Sequence, residues 1–262
     1  MKCNSCGGII LDGSKFCMYC GCEARMELSC SHCGFKAIPS EALFCPACGM
    51  RLTLKVDDYW DNLKIGDYYY SDGSFSTHLD QSKTCVGIVY SLETTVEEKK
   101  HGWTHGQIVA LEDAGGGGRY PWAGSWGALL AAHVDKWRDA RRDKNGYLYS
   151  NSIKYGAFAA ARSYLALLPL GKTSGWYLPS VGQWVAMIEN LGQISIPEDS
   201  FGRFDGDKNW RSKLEFLKFS TDVYWTSLQK GSLYSWCVNM NGGNITPYGK
   251  SSLGKVRPIS AI

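Results

Sequence analysis

The sequence predicts an α+β protein built of short antiparallel strands and two to three helices, preceded by a small cysteine-rich module. Three observations carry that prediction. Nine of the 11 cysteines fall within the first 48 residues. Beyond them, short runs rich in Val, Ile, Tyr and Trp are broken by Gly, Ser, Asn and Pro. The chain also holds 30 Gly, 15 Tyr and 10 Trp in 262 residues. That mixture suits a loop-rich fold in which large aromatics keep a polar tip near water, and it excludes a helical bundle, a coiled coil or a disordered tail.

The cysteine-rich module spans residues 1–50 and is organised as four CxxC knuckles. These are Cys3 with Cys6, Cys17 with Cys20, Cys30 with Cys33, and Cys45 with Cys48. Each knuckle can place two thiolates on one ion, and two knuckles complete the tetrahedral four-sulfur site that zinc prefers, so the spacing predicts two zinc ions. Glycines follow at Gly7, Gly21, Gly34 and Gly49, where the chain must turn tightly. Cys22 is a spare thiol and an alternative ligand to Cys20. His32 lies within a knuckle and reads as exposed. A redox CxxC would sit beside a βαβ pattern, and none is present. Residues 1–55 carry six Lys or Arg against four Asp or Glu. With no basic face, the module reads as structural or as docking a protein partner, in preference to reading nucleic acid. So small a segment has almost no core, and the metal supplies its folding energy.

Residues 51–62 change composition and read as a linker into one domain over residues 63–262. Its opening, LKIGDYYYSDGSFSTHLD, alternates aromatic and polar residues around a turn at Ser71, Asp72 and Gly73. CVGIVYSLE (85–93) and HGQIVALED (105–113) read as buried strands, and 115–118 as a flexible glycine loop. Helical patterns follow at 126–140 and 154–168, and Ser180 is placed to cap a third helix over VGQWVAMIENL. The last forty residues have no helical period and read as strands VYWTSL, SWCVNM and KVRPISAI.

Neither end of the spectrum of partners is signalled by charge or hydropathy. The net charge is only +3, small for a protein that grips nucleic acid through phosphates. The opening MKCNSCGGIILDGSKF lacks the apolar stretch of a signal peptide. The most apolar later window, 156–170, is interrupted by Arg162 and too short to span a bilayer. The expected location is the cytoplasm, where disulfides seldom persist, with no membrane partner.

The repeat CNSCGG…FCMYCG and CSHCGF…FCPACG resembles a tandem zinc ribbon of the double-zinc-ribbon type. In the larger domain, IGDYYYSDGSFST, HGQIVALEDA, WYLPSVGQW, VYWTS, WCVNM and KVRPISAI follow the order of a bacterial C-type-lectin-like family. That family is related to formylglycine-generating-enzyme folds and to the variable proteins of diversity-generating retroelements. Residues 224–262 look most like a variable region of the latter, with scaffold words separated by interchangeable loop stretches at 231–235, 246–249 and 251–254. In the family such stretches are altered by adenine-directed mutagenesis of Asn-type codons, and every residue in them here is one those codons reach.

The resemblance implies a non-enzymatic protein whose C-terminal surface binds a macromolecular ligand, preferably a protein. Its contacts would come from Leu228, Ser232, Leu233, Tyr234, Ser235, Asn239, Asn241, Asn244, Thr246, Tyr248, Ser251, Ser252 and Leu253. Buried Trp225 and Trp236 would hold the scaffold while those identities change, and Tyr234 and Tyr248 would act as broad contacts with few rotatable bonds. Two alternatives stay open: an enzyme on a formylglycine-generating-type scaffold, and a zinc-ribbon adaptor for nucleic acid.

Sharper chemistry fails on inspection. ALLPLGKT (166–173) fits a relaxed phosphate-loop pattern, yet Leu167, Leu168 and Pro169 cannot supply the row of free N–H groups a phosphate needs. The formylglycine-generating relatives use a cysteine pair, whereas this domain has only Cys85 and Cys237, both in apolar strand patterns that read as core. His101 and His105 are spaced for a helix that Gly102 and Gly106 oppose. Glu112 and Asp113 have no evident partner. The calcium and sugar motifs of animal lectins are absent, so a lectin-like fold implies no sugar binding.

Overall fold

IGDYYYSDGSFST closes into a hairpin. Tyr68–Tyr70 (β1) pairs antiparallel with Phe75–Ser76 (β2) around the expected turn, and Asp72 receives the backbone N–H of Ser74 at 2.8 Å. The structure is a computed structural model, described over Tyr19, Cys30, residues 32–36, Ile38, and residues 44–50, 59–123 and 133–262. Two compact units divide the chain, Met1–Asp61 and Asn62–Ile262.

In the larger unit, β1 continues into Cys85–Ser91 (β3), helix Val96–Lys100 (α1), Gln107–Ala110 (β4), the turn Ala114–Gly117 (α2) and Tyr120–Pro121 (β5). Helices Trp137–Ala140 (α3), Gly146–Ser152 (α4), Gly156–Arg162 (α5), Val181–Gly192 (α6) and Trp210–Lys213 (α7) follow. Val223–Lys230 (β6), Tyr234–Asn239 (β7), Asn244–Gly249 (β8), Leu253–Gly254 (β9) and Ile259–Ala261 (β10) complete it. The strands form a five-stranded sheet in the order β10-β4-β3-β1-β2, a β5-β9 pair and a three-stranded sheet β6-β7-β8. Every ladder is antiparallel. The last strand thus lies beside one of the first, and Tyr177 extends that edge by exchanging two backbone hydrogen bonds with Ile259 at 2.9 and 3.0 Å.

The mixed, antiparallel architecture agrees with the sequence reading, but the helices are more numerous and shorter than expected. Six short α-helices, besides the turn α2 and three 3-10 segments, are present among the described residues, not two or three. Residues 126–132 of the helix expected over 126–140 lie outside the described residues. In the remainder only Trp137–Ala140 is helical. The helix expected over 154–168 ends at Arg162, because the leucines after it face solvent and have no core to follow. Gly115 and Gly116 adopt φ of 60° and 64°, so α2 is a tight left-handed turn that only glycine enters freely, not a flexible loop.

Helix α6 forms as expected. Ser180 Oγ accepts the Gln183 N–H while the Gln183 side chain accepts the Ser180 N–H at 2.9 Å, a reciprocal capping box. The helix packs against β3 and β6. Around it lies a core in which Trp122, Trp184, Trp225, Tyr90, Tyr177, Tyr224 and Phe158 are fully buried. Their polar tips are satisfied inside: Trp122 Nε1 donates to Thr226 O at 2.7 Å and Trp225 Nε1 to Tyr120 O at 2.7 Å. A second capping box, Thr95 with Glu98, opens α1. The Glu98 carboxylate is buried, accepting from Gln107 Nε2 at 2.8 Å and Tyr177 OH at 2.5 Å. This network ties α1, β4 and the start of α6 together. No helix among the described residues is long and apolar enough to cross a membrane.

Candidate functional site

In the smaller unit the second pair of knuckles closes on itself. Cys30, Cys33, Cys45 and Cys48 hold their sulfurs within 4.8 Å of one another. Cys30 Sγ lies 3.7 Å from Cys48 Sγ, and Cys33 Sγ 3.6 Å from Cys45 Sγ. A tetrahedron with zinc–sulfur bonds of about 2.3 Å has sulfur–sulfur edges near 3.8 Å, so the donor set has the size and chemistry that zinc requires. Backbone geometry explains how it is built. The Gly34 N–H returns to Cys30 O at 2.8 Å and the Gly49 N–H to Cys45 O at 2.9 Å, with φ of 72° and 69° at the two glycines. The Cys30 N–H donates to Phe35 O and the Cys45 N–H to Met50 O, both at 2.8 Å. The knuckles are near copies of each other.

Hydrogen bonding differentiates the thiols. The backbone N–H of Cys33 leads the contacts that draw the Cys30 thiol down to about 6. Cys48 also receives a backbone N–H, from Met50, but burial and the neighbouring Cys33, Cys45 and Cys30 thiols outweigh it and push Cys48 up to about 12. Four sulfurs this close cannot all ionise unless a cation compensates them, and a divalent ion supplies that compensation. Ile38 is fully buried against Cys30 and Cys45 and is the apolar plug of the site, a role no spacing rule picked out. Phe44 is exposed. Cys3, Cys6, Cys17, Cys20 and the alternative Cys22 lie outside the described residues.

In the larger unit the residues expected to contact a ligand fall at two ends of the β6-β7-β8 sheet. Tyr234 pairs with Gly249 at one end of the β7-β8 ladder and Asn239 with Asn244 at the other, about 17 Å apart at roughly 3.4 Å per residue. Ser232, Leu233 and Tyr234 are exposed at the first end. Ser251 and Leu253 are exposed, and Ser252 half-buried, in the turn that follows β8. The two stretches are joined by the Lys250 N–H donating to Leu233 O at 3.0 Å, and the Ser252 N–H closes its own turn on Gly249 O at 2.9 Å. Tyr248 is half-buried, its ring 5.6 Å from that of Trp225. Asn239 and Asn241 belong to the opposite turn, where Asn239 Oδ1 accepts the backbone N–H groups of Asn241 and Gly242 at 3.0 Å each. Asn244 and Thr246 line a separate groove of about 780 Å³ with Trp137, Phe201, Trp236 and Pro247.

Two expected contact residues have no surface to offer. Leu228 and Ser235 are both 0% exposed. Ser235 Oγ donates to Leu228 O at 2.9 Å, which locks β6 to the start of β7. The reason is that both lie in continuous buried runs, Tyr224–Gln229 in β6 and Ser235–Val238 in β7, where the sheet is covered on both faces.

The scaffold beneath is tightly held. Arg257, in the word VRP, is 1% exposed and pairs with Asp113, its Nη2 2.7 Å and its Nε 2.8 Å from Asp113 Oδ1. It also donates to the carbonyls of Ala110, Leu111 and Leu217 at 2.9–3.1 Å. Lys255 Nζ and Tyr224 OH approach Asp113 Oδ2 at 3.3 and 3.0 Å. Asp113, which had no evident partner in the sequence, therefore has three. Cys85 and Cys237 lie in different sheets. Burial pushes up the thiol of half-buried Cys85 and raises that of buried Cys237 to about 12, the opposite of what activates a nucleophilic cysteine.

The double zinc ribbon family matches residues 3–52. No curated protein matches the chain significantly. Among solved structures, a fimbrial protein from Bacteroides ovatus shares the fold at a TM-score of 0.50 and 17% identity, with 76% of this chain and 49% of that chain covered. The chain thus spans about half the length of that protein. The N-terminal segment is a zinc-ribbon module with four described cysteines in a metal-binding arrangement, joined to a mixed α/β unit with antiparallel sheets.

Proposed function

We propose that the protein is a non-catalytic binding protein, in which a C-type-lectin-like scaffold presents a variable side-chain surface to a macromolecular ligand, preferably a protein. The observation that carries this reading is the cluster Ser232, Leu233, Tyr234, Ser251 and Leu253. Ser232, Leu233 and Tyr234 are exposed at one end of the β6-β7-β8 sheet, and Ser251 and Leu253 in the turn after β8 and in β9; buried Trp225 and Trp236 hold the sheet from within. Identities at the rim can change while the backbone holds its shape, which is the requirement for displaying variants on one fold. The zinc-ribbon module serves as a folded structural or protein-docking segment, with zinc at Cys30, Cys33, Cys45 and Cys48 and a second ion at Cys3, Cys6, Cys17 and Cys20.

The DNA flanking the gene tests diversification. The reading expects a reverse-transcriptase gene and a near-copy of the codons for residues 224–262 differing only at adenines; absence of both removes retroelement diversification. Binding is tested separately by selecting ligands from a displayed protein library. Against such a ligand, L233S/Y234S/L253S lowers affinity by about tenfold or more, since anchoring aromatic and aliphatic residues carry most interface energy. An unchanged affinity places the contact surface elsewhere.

A further inference from the structure

The segment after α5 carries three of the most solvated large apolar side chains among the described residues of the larger unit. Leu165, Leu167 and Leu170 are 90%, 80% and 98% exposed. Their exposure follows from how the loop is tied. The Trp176 indole N–H donates to Ala166 O at 2.8 Å, and the Trp176 ring meets Tyr164 edge-on at 5.2 Å. With residue 166 held inward, its neighbours on both sides stand outward. The Lys172 N–H donates to Pro169 O at 3.3 Å, and this turn projects Leu170. Single exposed leucines need no explanation, but three within six residues form a patch.

Along its own segment of chain the patch carries charge of one sign, while Glu112 from another segment lies close to Tyr164 at the start of the loop. From residue 144 to 188 the chain contains Lys144, Lys154, Arg162 and Lys172 and no Asp or Glu. Lys144 is engaged by Glu93 at 2.9 Å. Lys154, Arg162 and Lys172 are exposed and form no ion pair among the described residues, although Arg162 also donates to the Ser150 carbonyl. Arg162 and Lys172 bracket the leucines in sequence. The Lys172 side chain and Pro169 lie against Gly73 of the β1-β2 turn, where the adjacent Asp72 is already neutralised by Lys83 at 3.1 Å.

We propose that the loop over residues 163–172 docks the protein onto an anionic lipid surface, the three leucines entering the interfacial region and Arg162 and Lys172 meeting the headgroups. An apolar tip with a cationic collar is the chemistry of peripheral membrane contact. The leucines contribute apolar burial and each lysine or arginine contributes attraction to the negative leaflet. Such a contact needs no spanning segment, so the shortness and interruption of the 156–170 window do not oppose it. The proposal is independent of the ligand surface at residues 232–253.

The test is flotation of the full zinc-loaded chain with vesicles of phosphatidylcholine alone and of phosphatidylcholine with 30% phosphatidylglycerol. The expected result is partition onto the anionic vesicles, falling about tenfold or more in L165S/L167S/L170S, as removal of inserted apolar groups dictates. K154E/K172E lowers binding to anionic vesicles and flattens its dependence on salt, because fewer attractive charges remain to be screened. All five positions are exposed, and unchanged thermal unfolding verifies that the variants fold. The proposal is overturned if the wild type floats no better than the triple-serine variant. It is equally overturned if the leucines drive only concentration-dependent self-association in sedimentation, which assigns the patch to a second copy of the chain.

Discussion

Arg257 shows how much a single buried side chain can organise. Its guanidinium joins the Asp113 carboxylate to carbonyls of three other residues and stacks over Phe219 at 4.6 Å. Arg257→Met leaves Asp113 buried with Lys255 and Tyr224 only, and is expected to cost about 3–5 kcal/mol, the usual price of orphaning a buried charge, measured by urea unfolding. Arg257→Lys loses the forked geometry and recovers little of it. Tyrosines set a second residue-scale expectation. Burial, with help from Asp113, pushes the Tyr224 phenol from 10 up to about 12. Burial and the Glu98 carboxylate hold Tyr90 and Tyr177 well above the ordinary range. The fold favours their neutral forms. The contribution of Tyr224 to stability is therefore whole below about pH 10 and lost as pH rises through about 12, and Tyr90 and Tyr177 lose theirs only at still more alkaline pH. Thermal unfolding followed from pH 8 to 12 should show a falling midpoint over that window, and a flat profile would contradict the buried network.

At the scale of elements, capping decides where helices hold and packing decides how far they run. Helix α6 was legible because Ser180 and Gln183 form its cap and eight of its 12 residues are buried. Ser180→Ala removes the acceptor for the Gln183 N–H and the donor to Asp143 O at 2.6 Å. Its expected cost is about 1–2 kcal/mol, read as a lowered denaturation midpoint with unchanged slope. The stretch 163–170 misled for the complementary reason. It has the small and apolar residues of a helix, but its tertiary surroundings tie Ala166 to Trp176 and leave Leu165, Leu167 and Leu170 outside. Strand β8 was missed because Asn, Thr, Pro and Gly dominate it, yet β7 pairs with it from end to end. Its outer edge is blunted. The Ile245 N–H is taken by Gly202 O at 2.9 Å, and Pro247, two residues on and facing the same edge, has no N–H to offer.

For the whole molecule, the division into Met1–Asp61 and Asn62–Ile262 separates two ways of gaining stability. The larger unit buries a continuous aromatic core, whereas the described core of the smaller one is Cys30, Ile38 and Cys45, too little to fold without metal. Cys45→Ser is expected to lower bound zinc by one equivalent per chain in metal analysis, while the main thermal transition of the larger unit stays within about 2 °C of wild type. A collapse of that transition would show that the zinc site stabilises both units. By itself the sequence determined the metal chemistry and the antiparallel α+β class, because CxxC spacing and strand alternation are local rules that act over a few residues. Only tertiary structure decided that Asp113 meets Arg257, that Leu228 and Ser235 turn inward, that the expected contact residues part into two ends of one sheet, and that three leucines stand in water. Those outcomes depend on which distant segments pack together, and no short stretch of chain encodes its own burial.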